Sequence, residues 1–149
     1  MRALSIRQPY AELILRGIKT VEYRSRSTRI IGERFYIYAS KGAGKLAVWS
    51  EDLRAGTPPG WMVELAEQIR MIEPGAILPT GVIVGSAVIV KCEEIREQRS
   101  EVRDQRSANA SLIASSLASV FEWHLTDVVR VKTFRKPRGH PQPVWFEPF

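Results

Sequence analysis

Thiols are almost missing from this chain: Cys92 is the single cysteine among 149 residues. One thiol cannot close an internal disulfide or build a thiolate metal centre, so Cys92 reads as a small buried hydrophobe in a strand. Histidine is nearly as scarce, and neither His124 nor His140 is accompanied in the sequence by a cysteine or a cluster of carboxylates. The expectation is therefore no metal and no cofactor, with His124 as a hydrogen-bonded strand residue. No stretch approaches eighteen uninterrupted apolar residues, and the first residues lack the apolar block and cleavage site of a secretory leader. These absences predict no membrane span and a cytoplasmic location. Acidic residues fall short of basic ones, 16 against 22, leaving a net charge of +6. Such a surplus favours polyanionic partners, because each phosphate contact releases counterions. What is plentiful is apolar: 44% hydrophobic residues suffice for a packed core, and the length predicts one domain over 1–149.

The most informative stretch runs from Leu4 to Arg24. Arg2 to Ile6 predicts a short strand. Gln8-Pro9 can open a helix with proline in its first turn, and Gly17 can close it, so a helix is expected over Pro9 to Arg16. Its apolar positions Ala11, Leu13, Ile14 and Leu15 are too dense for a one-face stripe, which predicts burial on much of its circumference. After Gly17 the period becomes two. In an extended Lys19 to Arg24, Thr20, Glu22 and Arg24 share one face while Lys19, Val21 and Tyr23 share the other. Glu22 and Arg24 then lie about 7 Å apart, close enough to pair or to hold two ends of a polar ligand. Lys19, at the mouth of the turn, can swing toward the same place on its flexible stem. An ordinary surface ion pair is the bland alternative.

Gly17-Ile18-Lys19-Thr20-Val21-Glu22-Tyr23-Arg24 resembles the G-x-K-x-x-E-x-R signature of the ASCH domain family, of the PUA-like superfamily. Ser5-Ile6-Arg7-Gln8-Pro9-Tyr10-Ala11 is similar to the S-x-R-Q-P-Y/W-A opening of many members. The resemblance implies an α+β fold: a PUA-like mixed or antiparallel β-barrel with peripheral helices. It also implies a cleft lined by the signature residues, in which RNA or a nucleotide-like ligand binds. Some bacterial members are amidohydrolases acting on a modified cytidine, and carry threonine two residues before the arginine; this chain has Glu22 there, so that hydroxyl is absent.

Beyond the signature, Ser25 to Ile31 predicts a basic loop, and Arg34 to Ser40 alternates Phe35, Ile37 and Ala39 against Tyr36, Tyr38 and Ser40 as a central strand does. Ser40 to Lys45 is a glycine-rich turn but no Walker motif, since Ala39 stands where the first glycine is needed and Leu46 follows Lys45. Its amides and lysines suit a phosphate or carboxylate, and the resemblance places Ser40 and Lys41 beside the cleft. Helical spacing is expected over Leu46 to Arg54 and again over Trp61 to Met71, with Trp49 and Trp61 as packing residues. Gly81 to Ile95 is the longest strand signal, with Gly85 and Ser86 marking a bulge or bend. Arg96 to Ser111 reads as a solvated charged helix or loop, Ser111 to Phe121 as a short helix, and Glu122 to Phe134 as a strand. A basic turn at Arg135 to His140 and a closing strand at Val144 to Phe146 follow.

Two functions use these residues. In the first, an unstacked base enters the cleft. Arg7, Gln8, Tyr10, Lys19, Glu22, Arg24, Ser40, Lys41, Trp123 and Trp145 are the candidate ligand residues: Tyr10, Trp123 or Trp145 as a stacking platform, Glu22 accepting from an exocyclic amine, and Lys19, Arg24 and Lys41 holding phosphate. In the second, Lys19 and Glu22 act as general acid and base of a small metal-independent hydrolase, a ribonuclease or a modified-nucleoside amidohydrolase. A protein-docking role for the charged 96–110 segment is a third reading.

Overall fold

The computed structural model describes residues 1–42, 60–95 and 119–149. The expected turn at Ala43 to Lys45, the helix over Leu46 to Arg54 with Trp49, and the charged segment from Arg96 lie outside the described residues. The fold is α+β: strand β1 (Ala3–Ile6), helix α1 (Tyr10–Leu15), β2 (Val21–Arg24), β3 (Arg34–Ala39), helix α2 (Gly60–Ile69), β4 (Val82–Ile95), β5 (Val120–Arg135) and β6 (Trp145–Phe146). Each strand predicted from alternation or β-branching is present. Val120 and Phe121, expected to end a helix, instead begin β5, where β-branched and aromatic side chains pair with Ile95 and Glu94 of β4. Among the described residues, no helix is long and apolar enough to cross a membrane.

The six strands form one sheet in the order β2-β5-β4-β3-β1-β6, antiparallel except where β1 runs parallel to β3. The closed barrel expected from the sequence is not formed by backbone pairing among the described residues: β2 and β6 are edges, of four and two residues. The sheet nevertheless curls enough for side chains to join its ends. Arg24 of β2 donates through Nη2 to the Ser5 carbonyl of β1 at 2.7 Å, and Trp123 of β5 stacks on Trp145 of β6 with ring centroids 5.8 Å apart.

Alternation decides the core. Leu4 and Ile6 of β1, Phe35, Ile37 and Ala39 of β3, and Val84, Ala87 and Ile89 of β4 pack with Ala11 and Ile14 of α1. Tyr38, of opposite phase in β3, joins Ala3, Ile83 and Phe146 in a second cluster. The register of β4 slips between Ile83 and Gly85 on both neighbours, and against β5 again between Ser86 and Val88 and between Ile89 and Lys91. That is how Val84 and Ala87, three residues apart, share one cluster. At the second slip Asp127 takes a φ of 49°, and its carbonyl accepts from Arg34 Nη1 at 2.8 Å.

Gly85 lies under α1. A Cβ there would come within 2.4 Å of Leu15 Cδ2 and 2.6 Å of the Val129 carbonyl oxygen, so glycine is what lets the helix sit on the sheet. The dense apolar pattern of α1 corresponds to four consecutive buried residues, Ala11 to Ile14. One of these is charged. Glu12 accepts from Arg130 Nη1 and Nη2 at 3.0 and 2.8 Å and from Arg16 Nε at 2.9 Å, tying α1 to β5.

Candidate ligand-binding cleft

The helix end delivers the signature lysine. Gly17, at φ 74°, reverses the chain after α1, and the amides of Ile18 and Lys19 both donate to the Leu13 carbonyl at 3.0 and 3.1 Å. Lys19 is thereby turned inward, and its side chain is only 2% exposed. Its ammonium donates to Glu22 Oε2 at 2.8 Å and to the Val21 carbonyl, and lies 5.2 Å from the Tyr23 ring centroid. Arg24 meets the other carboxylate oxygen, Nη2 to Oε1, at 3.0 Å. The ammonium, carboxylate and guanidinium of the signature therefore converge on one buried point, as the spacing in the sequence suggests.

Burial alone would push the Glu22 carboxyl up, but the charges and hydrogen bonds of Lys19 and Arg24 outweigh it and hold it below the usual carboxylate range. Burial pushes the Lys19 ammonium down, against the pull of Glu22. Tyr10 stands beside this cluster with its phenol raised by burial and by the Glu22 charge, and opposed by Arg7.

A cleft of about 1140 Å³ opens over the cluster. Arg7, Tyr10, Glu22, Arg24, Ser40 and Lys41, all predicted from the sequence, line it. The other predicted residues sit elsewhere. Gln8 donates through Nε2 to the Pro79 carbonyl at 2.9 Å and accepts from the Glu12 amide at 3.1 Å, so it holds the cleft wall without lining it. Lys19 borders a smaller neighbouring hollow, of about 270 Å³, behind Glu22. Trp123 and Trp145 are not platforms in the cleft. Trp123 is 1% exposed with its indole donating to the Arg26 carbonyl at 3.0 Å, and Trp145 packs on Trp123 and edge-on to Phe35. Their size and position between facing strands assign them to packing.

Other lining residues escaped the sequence reading. Lys136 and His140 were legible only as a basic turn, and Tyr38 only as a packing residue. Long-range contacts bring that turn to the cleft: the Ser5 amide donates to Val144 O at 2.9 Å and Ser5 Oγ to Gln142 O at 2.5 Å. Thr80 and Gly81 arrive because the Gly81 amide donates to the Ala39 carbonyl at the end of β3, at 2.6 Å. Among the described residues, the balance of lining charge is four fixed cations, Arg7, Arg24, Lys41 and Lys136, against the one carboxylate of Glu22. Because Glu22 is already matched by Lys19 and Arg24, the free surface of the cleft is electropositive.

A model of the ASCH domain matches residues 4–137. The chain belongs to the ASCH domain family. The fold of this ASCH domain is similar to crystal structures of two mutant forms of the ASCH protein from Zymomonas mobilis. One, with a serine changed to alanine, is 15% identical with a TM-score of 0.53 and covers 97% of this chain and 85% of that one. The other, with a tyrosine changed to phenylalanine, is also 15% identical, with a TM-score of 0.51, covering 95% and 84%. At that identity the likeness is one of fold. No curated protein sequence matches the chain.

Outside the cleft, the ladder gives His124 the acidic company that the linear sequence did not suggest. Glu93 of β4 and Glu122 of β5 each bring an oxygen to 3.3 Å from its Nε2, correcting the expectation of a histidine with no carboxylate cluster. Glu93 is 31 positions away and becomes a neighbour only through the β4–β5 register.

Proposed function

We propose that this ASCH domain binds single-stranded RNA, or a modified nucleotide carried within it, in the basic cleft. The observation that carries the proposal is the electropositive lining of Arg7, Arg24, Lys41 and Lys136 around a carboxylate already neutralised from within. Tyr10, half-buried at the cleft wall, supplies the aromatic surface on which a splayed base can stack, and the volume exceeds that of most small-molecule pockets. The expected role of Glu22 changes accordingly. Both its oxygens are engaged, so it fixes Arg24 for a phosphate or a base edge instead of serving as a free acceptor.

A hydrolytic reading would need Lys19 or Glu22 to reach a substrate. Lys19 is turned away onto Glu22 and the Val21 carbonyl, and this favours binding over hydrolysis. The test is the affinity of a short unstructured RNA measured from about 50 to about 200 mM salt, where three or four phosphate contacts give a log–log slope of about −2 to −3. A slope near zero contradicts the proposal. Turnover of such an RNA, or of an acylated nucleoside, that vanishes in a folded Lys19→Ala variant would replace it with the hydrolytic reading.

A further inference from the structure

We propose that Glu93, Glu122 and His124 form a site for one divalent transition-metal ion, separate from the cleft. Glu93 and Glu122 are register partners across β4 and β5, and His124 follows Glu122 by two residues, so all three project from one face of the sheet. Nε2 of His124 lies 3.3 Å from Oε2 of Glu93 and 3.3 Å from Oε2 of Glu122, and the three ligand atoms all fall within 4.8 Å of one another. Nitrogen and oxygen ligands sit about 2.0 to 2.2 Å from zinc, so two of them on a tetrahedral ion are about 3.4 Å apart. Both nitrogen-to-oxygen spacings match that edge.

The state of His124 Nε2 is an independent sign. That atom is sealed from solvent and makes no hydrogen bond, although two carboxylate oxygens are close by. A ring nitrogen so placed finds its partner either in its own proton, aimed at one oxygen, or in a cation shared by all three groups. Lys91 takes the remaining oxygen of Glu93, Oε1, at 2.6 Å, which leaves Oε2 turned toward His124. Outer partners orient metal-binding carboxylates in this way. The side chains are 45%, 29% and 31% exposed for Glu93, Glu122 and His124, leaving water free to complete the coordination. An imidazole with two carboxylates suits zinc or a similar transition ion better than magnesium or calcium, which favour all-oxygen sites.

The site faces away from the signature charges. Val21 and Tyr23 are the β2 partners of His124 and Glu122, whereas Glu22 and Arg24 pair with Trp123 and Phe121 and point the other way. Titration of the intact chain with zinc chloride, followed calorimetrically, tests the proposal. The expected result is one equivalent bound with a Kd of about 10 µM or tighter, weakened at least about tenfold by His124→Ala and by Glu122→Gln, and unchanged by His140→Ala. Zinc should also raise the unfolding midpoint of the parent but not of His124→Ala. If His124→Ala does not fold, Glu93→Gln, on the exposed sheet face, carries the same expectation. No saturable binding below about 100 µM, or binding that survives both ligand substitutions, overturns the site.

Discussion

Glu22 is the keystone of the signature, and replacing it tests whether the buried charges are held as the geometry indicates. Lys19 Nζ and Arg24 Nη2 lie 2.8 and 3.0 Å from its two oxygens. At an effective dielectric of about 20 the gross attractions are about 6 and 5.5 kcal/mol, most of which offsets desolvation of the three groups. Removing one partner is a different matter, because it strands the others. In Glu22→Gln, Lys19 would be left 2% exposed without its bonded carboxylate, with Glu64 as a weaker, more distant counter-charge, and such losses cost about 3 to 5 kcal/mol. Urea unfolding at neutral pH should show this as a lower midpoint with an unchanged slope. In Lys19→Met/Glu22→Gln the stranded ammonium is gone, so the double variant should be more stable than Glu22→Gln alone. A Glu22→Gln variant within about 0.5 kcal/mol of the parent, or a double variant whose cost is the sum of the single ones, would refute the reasoning.

Gly85→Ala should cost about 1 to 3 kcal/mol, and adding Leu15→Ala should not rescue it, because the Val129 carbonyl still lies 2.6 Å from the new Cβ; thermal unfolding of the single and double variants checks this. Acid should destabilise the fold through Glu12 and Glu22, whose folded values lie below the usual 4.5: hydrogen bonding from Arg130 first, aided by Arg16, lowers the former against burial, and Lys19 with Arg24 overcomes burial to lower the latter. Their contribution is fully present above 4.5 and is lost as pH falls through the lowered folded values, so Glu12→Gln should flatten the acid limb of a stability–pH curve. Lys41→Ala and Lys136→Ala should each reduce the salt slope of RNA binding by about 0.7, with little change in unfolding midpoint.

Local order was legible in the sequence because it is encoded by neighbours. Gly17 ends α1, alternation in Arg34 to Ala39 separates the core face from Tyr36 and Tyr38, and the bend at Gly85 and Ser86 appears where small residues interrupt a β-branched run. The meeting of Lys19, Glu22 and Arg24 was legible for the same reason, being contained within six residues. What escaped was whatever depends on distant pairing. Nothing near Lys136 or His140 says that Ser5 will bond Val144 and Gln142 and draw that turn to the cleft. The aromatic pattern of Trp123 and Trp145 is equally consistent with a ligand platform and a packed pair, and only the curl of the sheet, which stacks them, decides for packing. Likewise the open edges at β2 and β6 follow from strand lengths, which local propensity sets poorly.

The claim that the cleft is the RNA-binding surface is tested most directly by an amide NMR titration of the chain with a short unstructured RNA. The account predicts saturable shifts at Arg7, Tyr10, Lys41, Lys136 and His140, with none at Lys91, Glu93 or Val129 on the far side of the ladder. Shifts concentrated on β4 and β5 around Glu93 and Val129, with the cleft amides unmoved, would contradict it.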